Sequence, residues 1–110
     1  MTAGIYRLRP RAETDLDGYA HYIARDNLVA ARRFYDRAQE TFQMLADTPL
    51  MGTLHQAMRD KSSGLRFAPI KSYPNYLIYY RPKDGFIDVV RILHARMNRD
   101  LKIAPYLGSS

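Results

Sequence analysis

After a short first strand, the spacing of apolar residues changes from helical to strand-like at Thr48-Pro49, and that change sets the class of fold. Before it, apolar side chains recur at helical intervals: Leu16, Tyr19, Ala20 and Ile23, then Ala31, Phe34, Tyr35, Ala38, Phe42 and Leu45. Stripes of this kind mark amphipathic helices that bury one face. After it come short runs dense in β-formers: Leu65 to Ile70, Tyr76 to Arg81, and Phe86 to His94. Pro82-Lys83-Asp84-Gly85 supplies turn residues between the last two.

Local punctuation sharpens the boundaries. Ile5-Tyr6-Arg7-Leu8 alternates as a short strand, and Pro10 suits the first position of a helix, where its missing N–H costs nothing. Glu13, Asp15 and Asp17 lay negative charge against that helix's positive end. Asp26-Asn27 interrupts the first stripe, and Asn27 is placed to cap a second helix that Thr48-Pro49 ends. The short break predicts an antiparallel helical hairpin. Pro49 to Gly64 reads as an irregular, mobile loop. The expected architecture is therefore α+β, in the order β-α-α-β-β-β, with the hairpin packed on one face of a small, mostly antiparallel sheet and the other face open.

The 110 residues make one domain, 1–110, with a loose tail from about residue 101. No cysteine is present, which excludes disulfides, thiolate zinc sites and thiol nucleophiles. His21, His55 and His94 are scattered without metal-ligand spacing, so neither a metal nor a cofactor is expected. His21 and His55 read as surface residues. The N-terminal residues lack the apolar stretch of a signal peptide, and no apolar run is long enough to span a bilayer. A soluble, cytoplasmic protein is expected.

Charge is asymmetric. The net charge is +6, yet residues 1–55 carry seven Arg against seven Asp or Glu. The excess lies entirely in residues 56–110, where ten Lys or Arg oppose Asp60, Asp84, Asp88 and Asp100. Thirteen of the seventeen cations are Arg, whose planar fork suits carboxylates, phosphates and aromatic faces. A basic surface of this composition points to an acidic protein, a nucleic acid or a nucleic-acid enzyme as partner.

Six short matches in order make the chain resemble the ParE branch of the ParE/RelE toxin superfamily. They are the strand-to-helix passage Tyr6-Arg7-Leu8-Arg9-Pro10-Arg11-Ala12-Glu13-Thr14-Asp15-Leu16, the helical Ala30-Ala31-Arg32-Arg33-Phe34, and the loop Pro49-Leu50-Met51-Gly52. Leu65-Arg66, Tyr76-Leu77-Ile78-Tyr79-Tyr80-Arg81, and Ile92-Leu93-His94-Ala95-Arg96 with Arg99-Asp100 complete the set. The resemblance implies the toxin of a type II toxin–antitoxin module, of the sort linked to plasmid stabilisation, neutralised by direct binding of a cognate antitoxin. The ParE branch implies inhibition of DNA gyrase. The RelE branch would imply a ribosome-dependent endoribonuclease, and a degenerate member would keep antitoxin binding without toxicity.

Cleaving RNA by 2′-hydroxyl attack requires a base, an acid and phosphate-binding cations gathered in one place. The candidates are Arg66, Arg81, Arg91 and His94, with Tyr79. Strand alternation separates Arg91 from His94 unless a bulge intervenes. The second and third main strands lack a further Lys or Glu cluster, and a noncatalytic toxin is the preferred reading. Arg91 and Arg96 are the expected target-binding residues, although Arg91 inside an apolar strand could instead pair with an acid such as Asp88. Tyr19, Tyr22 and Phe34 are the expected antitoxin-binding residues, lining an apolar groove along the hairpin. The antitoxin is expected to be a disordered acidic segment that folds on binding. Direct nucleic-acid contact and oligomeric state stay open.

Overall fold

The computed structural model describes residues 3–55 and 64–106. Strand β1 (Tyr6–Leu8) leads into α1 (Pro10–Ala24), with Pro10 at the helix start and Glu13 in its first turn. The Asn27 side chain accepts a hydrogen bond from the Ala30 N–H at 3.0 Å and starts α2 (Leu28–Asp47). A 3-10 turn (Pro49–Met51) and a two-residue strand β2 (Thr53–Leu54) follow. The sheet continues with β3 (Arg66–Ile70), β4 (Tyr73–Lys83) and β5 (Phe86–His94). Helix α3 (Arg99–Ile103) and a second 3-10 turn (Ala104–Tyr106) end the described chain.

The strands are ordered β1-β5-β4-β3-β2, with β1 parallel to β5 and every other pairing antiparallel. Strand β4 is longer than the sequence implies at both ends. It absorbs Pro82 and Lys83, so the β4–β5 turn reduces to Asp84-Gly85, where Gly85 takes φ +86°. That left-handed value is strained for any residue with a Cβ.

One face of the sheet packs on the hairpin as expected. Leu16, Phe34, Phe42 and Leu45 meet Ile78, Tyr80, Ile87, Val89 and Ile92. The other face is not open. Leu65, Leu77, Tyr79, Val90 and Leu93 form a second apolar layer, and Ile103 of α3 seals it with 0% exposure. Residues 101–106 are therefore not a loose tail. Strands β4 and β5 are apolar on both faces, and a half-covered sheet would leave that second layer in water. Burying Ile103 stabilises the cover by roughly 1.5–3 kcal/mol. Asn98 caps α3, its side chain accepting from the Leu101 N–H at 3.3 Å.

The first part of the expected loop is also built in. Tyr80 Oη donates to the Pro49 carbonyl at 2.7 Å and accepts from the Gly52 N–H at 3.0 Å. A Cβ at Gly52 would lie 2.4 Å from that Oη, which is why the Pro-x-x-Gly loop needs glycine there. His55, expected at the surface, is 8% exposed beside Phe67 and Tyr79, because β2 pairing draws it onto the sheet. Residues 56–63 of the loop expected to be mobile, and the terminal Gly108-Ser109-Ser110, lie outside the described residues.

Candidate protein-binding groove

The site begins with a mismatch of strand lengths. Strand β1 pairs with Ile87, Asp88 and Val89, so among the described residues the edge of β5 beyond them has no neighbouring strand. Exposed strand edges carry unpaired N–H groups that must be satisfied or covered. Helix α1 does this with side chains. Asp15 Oδ2 accepts from the Ile92 N–H at 3.0 Å, and Tyr19 Oη accepts from the His94 N–H at 3.1 Å.

Asp15 also holds Arg91. Its two oxygens accept from Arg91 Nε at 2.7 Å and Nη2 at 3.0 Å, a bidentate pair with both side chains less than one-tenth exposed. The hydrogen bond to Asp15 raises the Arg91 pKa above its usual value against the opposing effect of burial. Asp88, the partner expected from sequence, belongs instead to Arg9, which donates to it at 2.8 and 3.2 Å. Arg91 is 6% exposed, so of the two residues expected to bind a target only Arg96 stands in solvent.

Strand β5 carries a bulge. Tyr79 faces Arg91 while Tyr80 faces Val89, leaving Val90 as the extra residue. That bulge precedes both Arg91 and His94 and leaves their alternation unchanged. The two line one groove with α1, a depression of about 680 Å³, because Arg91 reaches Asp15 across the β5 edge. Tyr19 forms its wall, packed edge-on against Tyr76 at 4.9 Å and donating to Met97 Sδ at 3.3 Å. Burial raises the Tyr19 pKa, so the phenol stays neutral. Tyr22, 65% exposed, and Arg11, Arg96 and Lys102 complete the rim. Among the described residues the one carboxylate in the lining is Asp15, already bound to Arg91. The groove is thus aromatic and positively charged, suited to an acidic chain that brings apolar anchors.

This groove joins residues that the sequence assigned to different partners: Arg91 and Arg96 with Tyr19 and Tyr22. Phe34 is not among them. It is fully buried between Tyr73 and Tyr76, with ring centroids 5.1 Å from each, because its position on α2 faces the sheet. The hairpin does carry a second depression of about 650 Å³, lined by Ala20, Ala24, Leu28 and Ala31, on its outer side. Tyr35 borders it and donates to Asp17 Oδ1 at 2.6 Å. Burial and that bond push the Tyr35 pKa up to about 12.

Of the four nuclease candidates only Arg91 and His94 share a groove, and Arg66 and Arg81 lie elsewhere. Arg66 donates to the carbonyls of Leu50 at 3.2 Å and Gly52 at 2.8 Å, holding the Pro49–Gly52 loop. Arg81 is 2% exposed and donates to the Tyr106 carbonyl. His94 Nδ1 accepts from the Arg96 N–H at 3.1 Å, and Tyr79 Oη accepts from Arg99 at 3.1 Å.

Sequence reasoning missed Arg11, Lys102 and Gly18. Arg11 and Lys102 needed the docking of α3 beside α1 before they could be seen as neighbours. Gly18 carried its own signal: a glycine inside a helix costs roughly 0.5–1 kcal/mol relative to alanine, and so asks for a reason. No intramolecular one exists among the described residues, since a Cβ built there meets nothing within 4 Å.

Comparison with known proteins bears on the family and the fold. The family model described as ParE toxin of type II toxin-antitoxin system, parDE, matches residues 6–99. No curated protein matches the sequence. The fold is similar to a chain of the solved structure titled "Chromosomal ParDE TA system from P. aeruginosa", with a TM-score of 0.66 and 19% identity, over 86% of this chain and 98% of that one. At that identity the likeness speaks for the fold alone.

Proposed function

The chain belongs to the ParE family of toxins from type II toxin–antitoxin systems, and from that premise we propose a toxin without chemistry of its own, which inhibits DNA gyrase and is silenced by an acidic antitoxin segment seated in the groove along β5. The observation that carries the noncatalytic reading is the employment of every nuclease candidate in structural bonds. RNA cleavage needs a base with a free lone pair beside cations free to hold phosphate. Here the His94 Nδ1 lone pair takes the Arg96 N–H, Arg81 lies beneath the Tyr106 carbonyl, Arg66 binds loop carbonyls, and Arg91 is neutralised by Asp15. Arg66 and Arg81 lie away from the groove that Arg91 and His94 line, and each of the four is held in a contact of its own.

The antitoxin reading rests on charge and shape together. Arg11, Arg96 and Lys102 ring a groove walled by Tyr19, Tyr22 and Tyr76. An acidic segment is drawn in by the charges, which speed encounter, and is held by the rings, which slow dissociation. Both partners of such a toxin are cytoplasmic, and that is the location we assign.

The test is expression without the antitoxin. Growth should stop with filamentation and induction of DNA-damage responses, and the purified protein should inhibit supercoiling or trap gyrase on cut DNA. Cleavage of ribosome-bound messenger RNA with gyrase unaffected would move the protein to the RelE mode.

A further inference from the structure

Two depressions flank α1, and the helix between them is low at one point. Thr14 and Gly18, one turn apart, line both the charged groove along β5 and the apolar groove between α1 and α2. Gly18 is exposed, and the space above it is open to at least 4 Å from a Cβ position. The fold itself would be served as well by alanine, which is the better helix former. Nothing inside the described chain comes near enough to require a hydrogen there. A glycine of this kind serves something that approaches from outside, where a missing side chain lets two backbones draw close.

We propose that the acidic antitoxin segment crosses α1 over Gly18 in direct contact, running from the charged groove into the hairpin groove, so that Gly18 is the residue that admits it. The inference rests on the antitoxin reading of the charged groove and adds its path and direction. Charge sets the direction. The acidic part of the segment lies among Arg11, Arg96 and Lys102, and its apolar part continues past Gly18, between Asp17 and Arg32, onto Ala24 and Leu28, the last 69% exposed. The exposure of Leu28 is the apolar counterpart of the Arg96 charge: both await the same partner at opposite ends of its course. A helical segment meets the spacing best, since one face can present carboxylates early and apolar side chains later along the same line.

The experiment measures binding of the full toxin to the antitoxin encoded in the adjacent reading frame, for the wild type, Gly18→Ala, Gly18→Gln and a double variant Arg96→Glu with Lys102→Glu. Gly18→Ala should melt no lower than the wild type, and its circular dichroism should be unchanged. Its affinity should fall by several-fold, and that of Gly18→Gln by about tenfold or more, as expected of bulk forced into a packed contact. The charge-reversed variant should lose affinity mainly through slower association. Failure of the wild type to bind that antitoxin overturns the antitoxin reading and this proposal with it. Binding by the wild type with both Gly18 variants equally tight, while the charge-reversed variant is weakened, leaves the groove reading standing and overturns the crossing.

Discussion

On the helix side of the sheet, Ile78, Tyr80, Ile87, Val89 and Ile92 lie under two full helices whose Phe34, Phe42 and Leu45 reach down between them. On the far side, among the described residues, Leu65, Leu77, Tyr79, Val90 and Leu93 lie under a five-residue helix and a turn, with Ile103 the one side chain of that cover that is completely buried. The two layers have the same apolar chemistry and unequal roofs. The difference teaches where this molecule keeps its stability and where it could yield. Near-side contacts join elements far apart in sequence through many side chains. The far-side cover depends on Ile103, the Arg99–Tyr79 bond and the contact of Arg81 with the Tyr106 carbonyl.

The sharpest way to break the comparison is to remove one anchor from each side. Phe34→Ala should cost roughly 3–5 kcal/mol, since the cavity opens between Tyr73 and Tyr76 in a layer that cannot collapse around it. For a domain of this size that is a large part of the total stability. Ile103→Ala should cost only about 2 kcal/mol, the low end for such a truncation, because Met97 and Tyr106 at its margin are half-buried and the cavity opens close to the surface. Denaturant midpoints of the two variants check this. An equal loss, with an unchanged slope against denaturant, would show that the far-side cover is as integral as the hairpin.

The same contrast separates what the sequence made legible from what it hid. The hairpin and its caps were readable because the information is local: Pro10, Asn27 and Thr48-Pro49 act within a turn of where they stand. The five-strand order was not, since β2 is two residues long and exists only by pairing with Phe67 and Arg66. The far-side cover was hidden for a related reason. Ile103 sits in a short polar stretch with no period to read, and its role depends on the double-sided burial of β4 and β5. Charged residues divided in the same way. Arg96 could be placed in solvent from sequence, whereas the choice of Asp15 over Asp88 for Arg91 depends on α1 lying across the bare edge of β5. Tyr19 and Tyr22 lie on the groove and Phe34 is buried in the core, because the stripe gives a face without saying how deep each residue lies.

Charge offers the next comparison, between the groove rim and the outer surface of α2. Replacing Arg96 and Lys102 with Ser should slow association with the antitoxin by about tenfold at low salt, and the deficit should shrink as salt rises. Replacing Arg33 and Arg37, which line neither groove, should change it little. Arg37 is engaged with Glu40 at 2.6 Å on an exposed face where such pairs contribute little, and the α2 surface is close to neutral. Stopped-flow association across a salt series measures both. A larger effect from the α2 pair, with each variant folded, would put the acidic partner on the hairpin and away from β5.

The smallest expected effect concerns the clamp inside the near-side roof. Tyr35 of α2 donates to Asp17 of α1 at 2.6 Å, and its pKa stands at about 12 against an ordinary 10. Burial is the larger cause and the bond to Asp17 the second. A phenol whose folded pKa is raised binds its proton more tightly in the folded state than in the unfolded one. Its contribution is therefore complete below pH 10 and is lost as pH climbs from 10 to 12, where the phenolate would face the Asp17 carboxylate across the helix pair. Because Tyr35 is 36% exposed, solvent screens the effect and the loss is modest. Tyr19, Tyr76, Tyr79 and Tyr80 are shifted upward by burial as well, so the wild type destabilises in alkali for several reasons at once. The difference between the wild type and Tyr35→Phe isolates this one. The variant should melt close to the wild type at pH 7 and keep more of its melting temperature between pH 10 and 12. Parallel decline of the two proteins over that interval would mean that the hairpin is held by its apolar stripe alone, without help from the clamp.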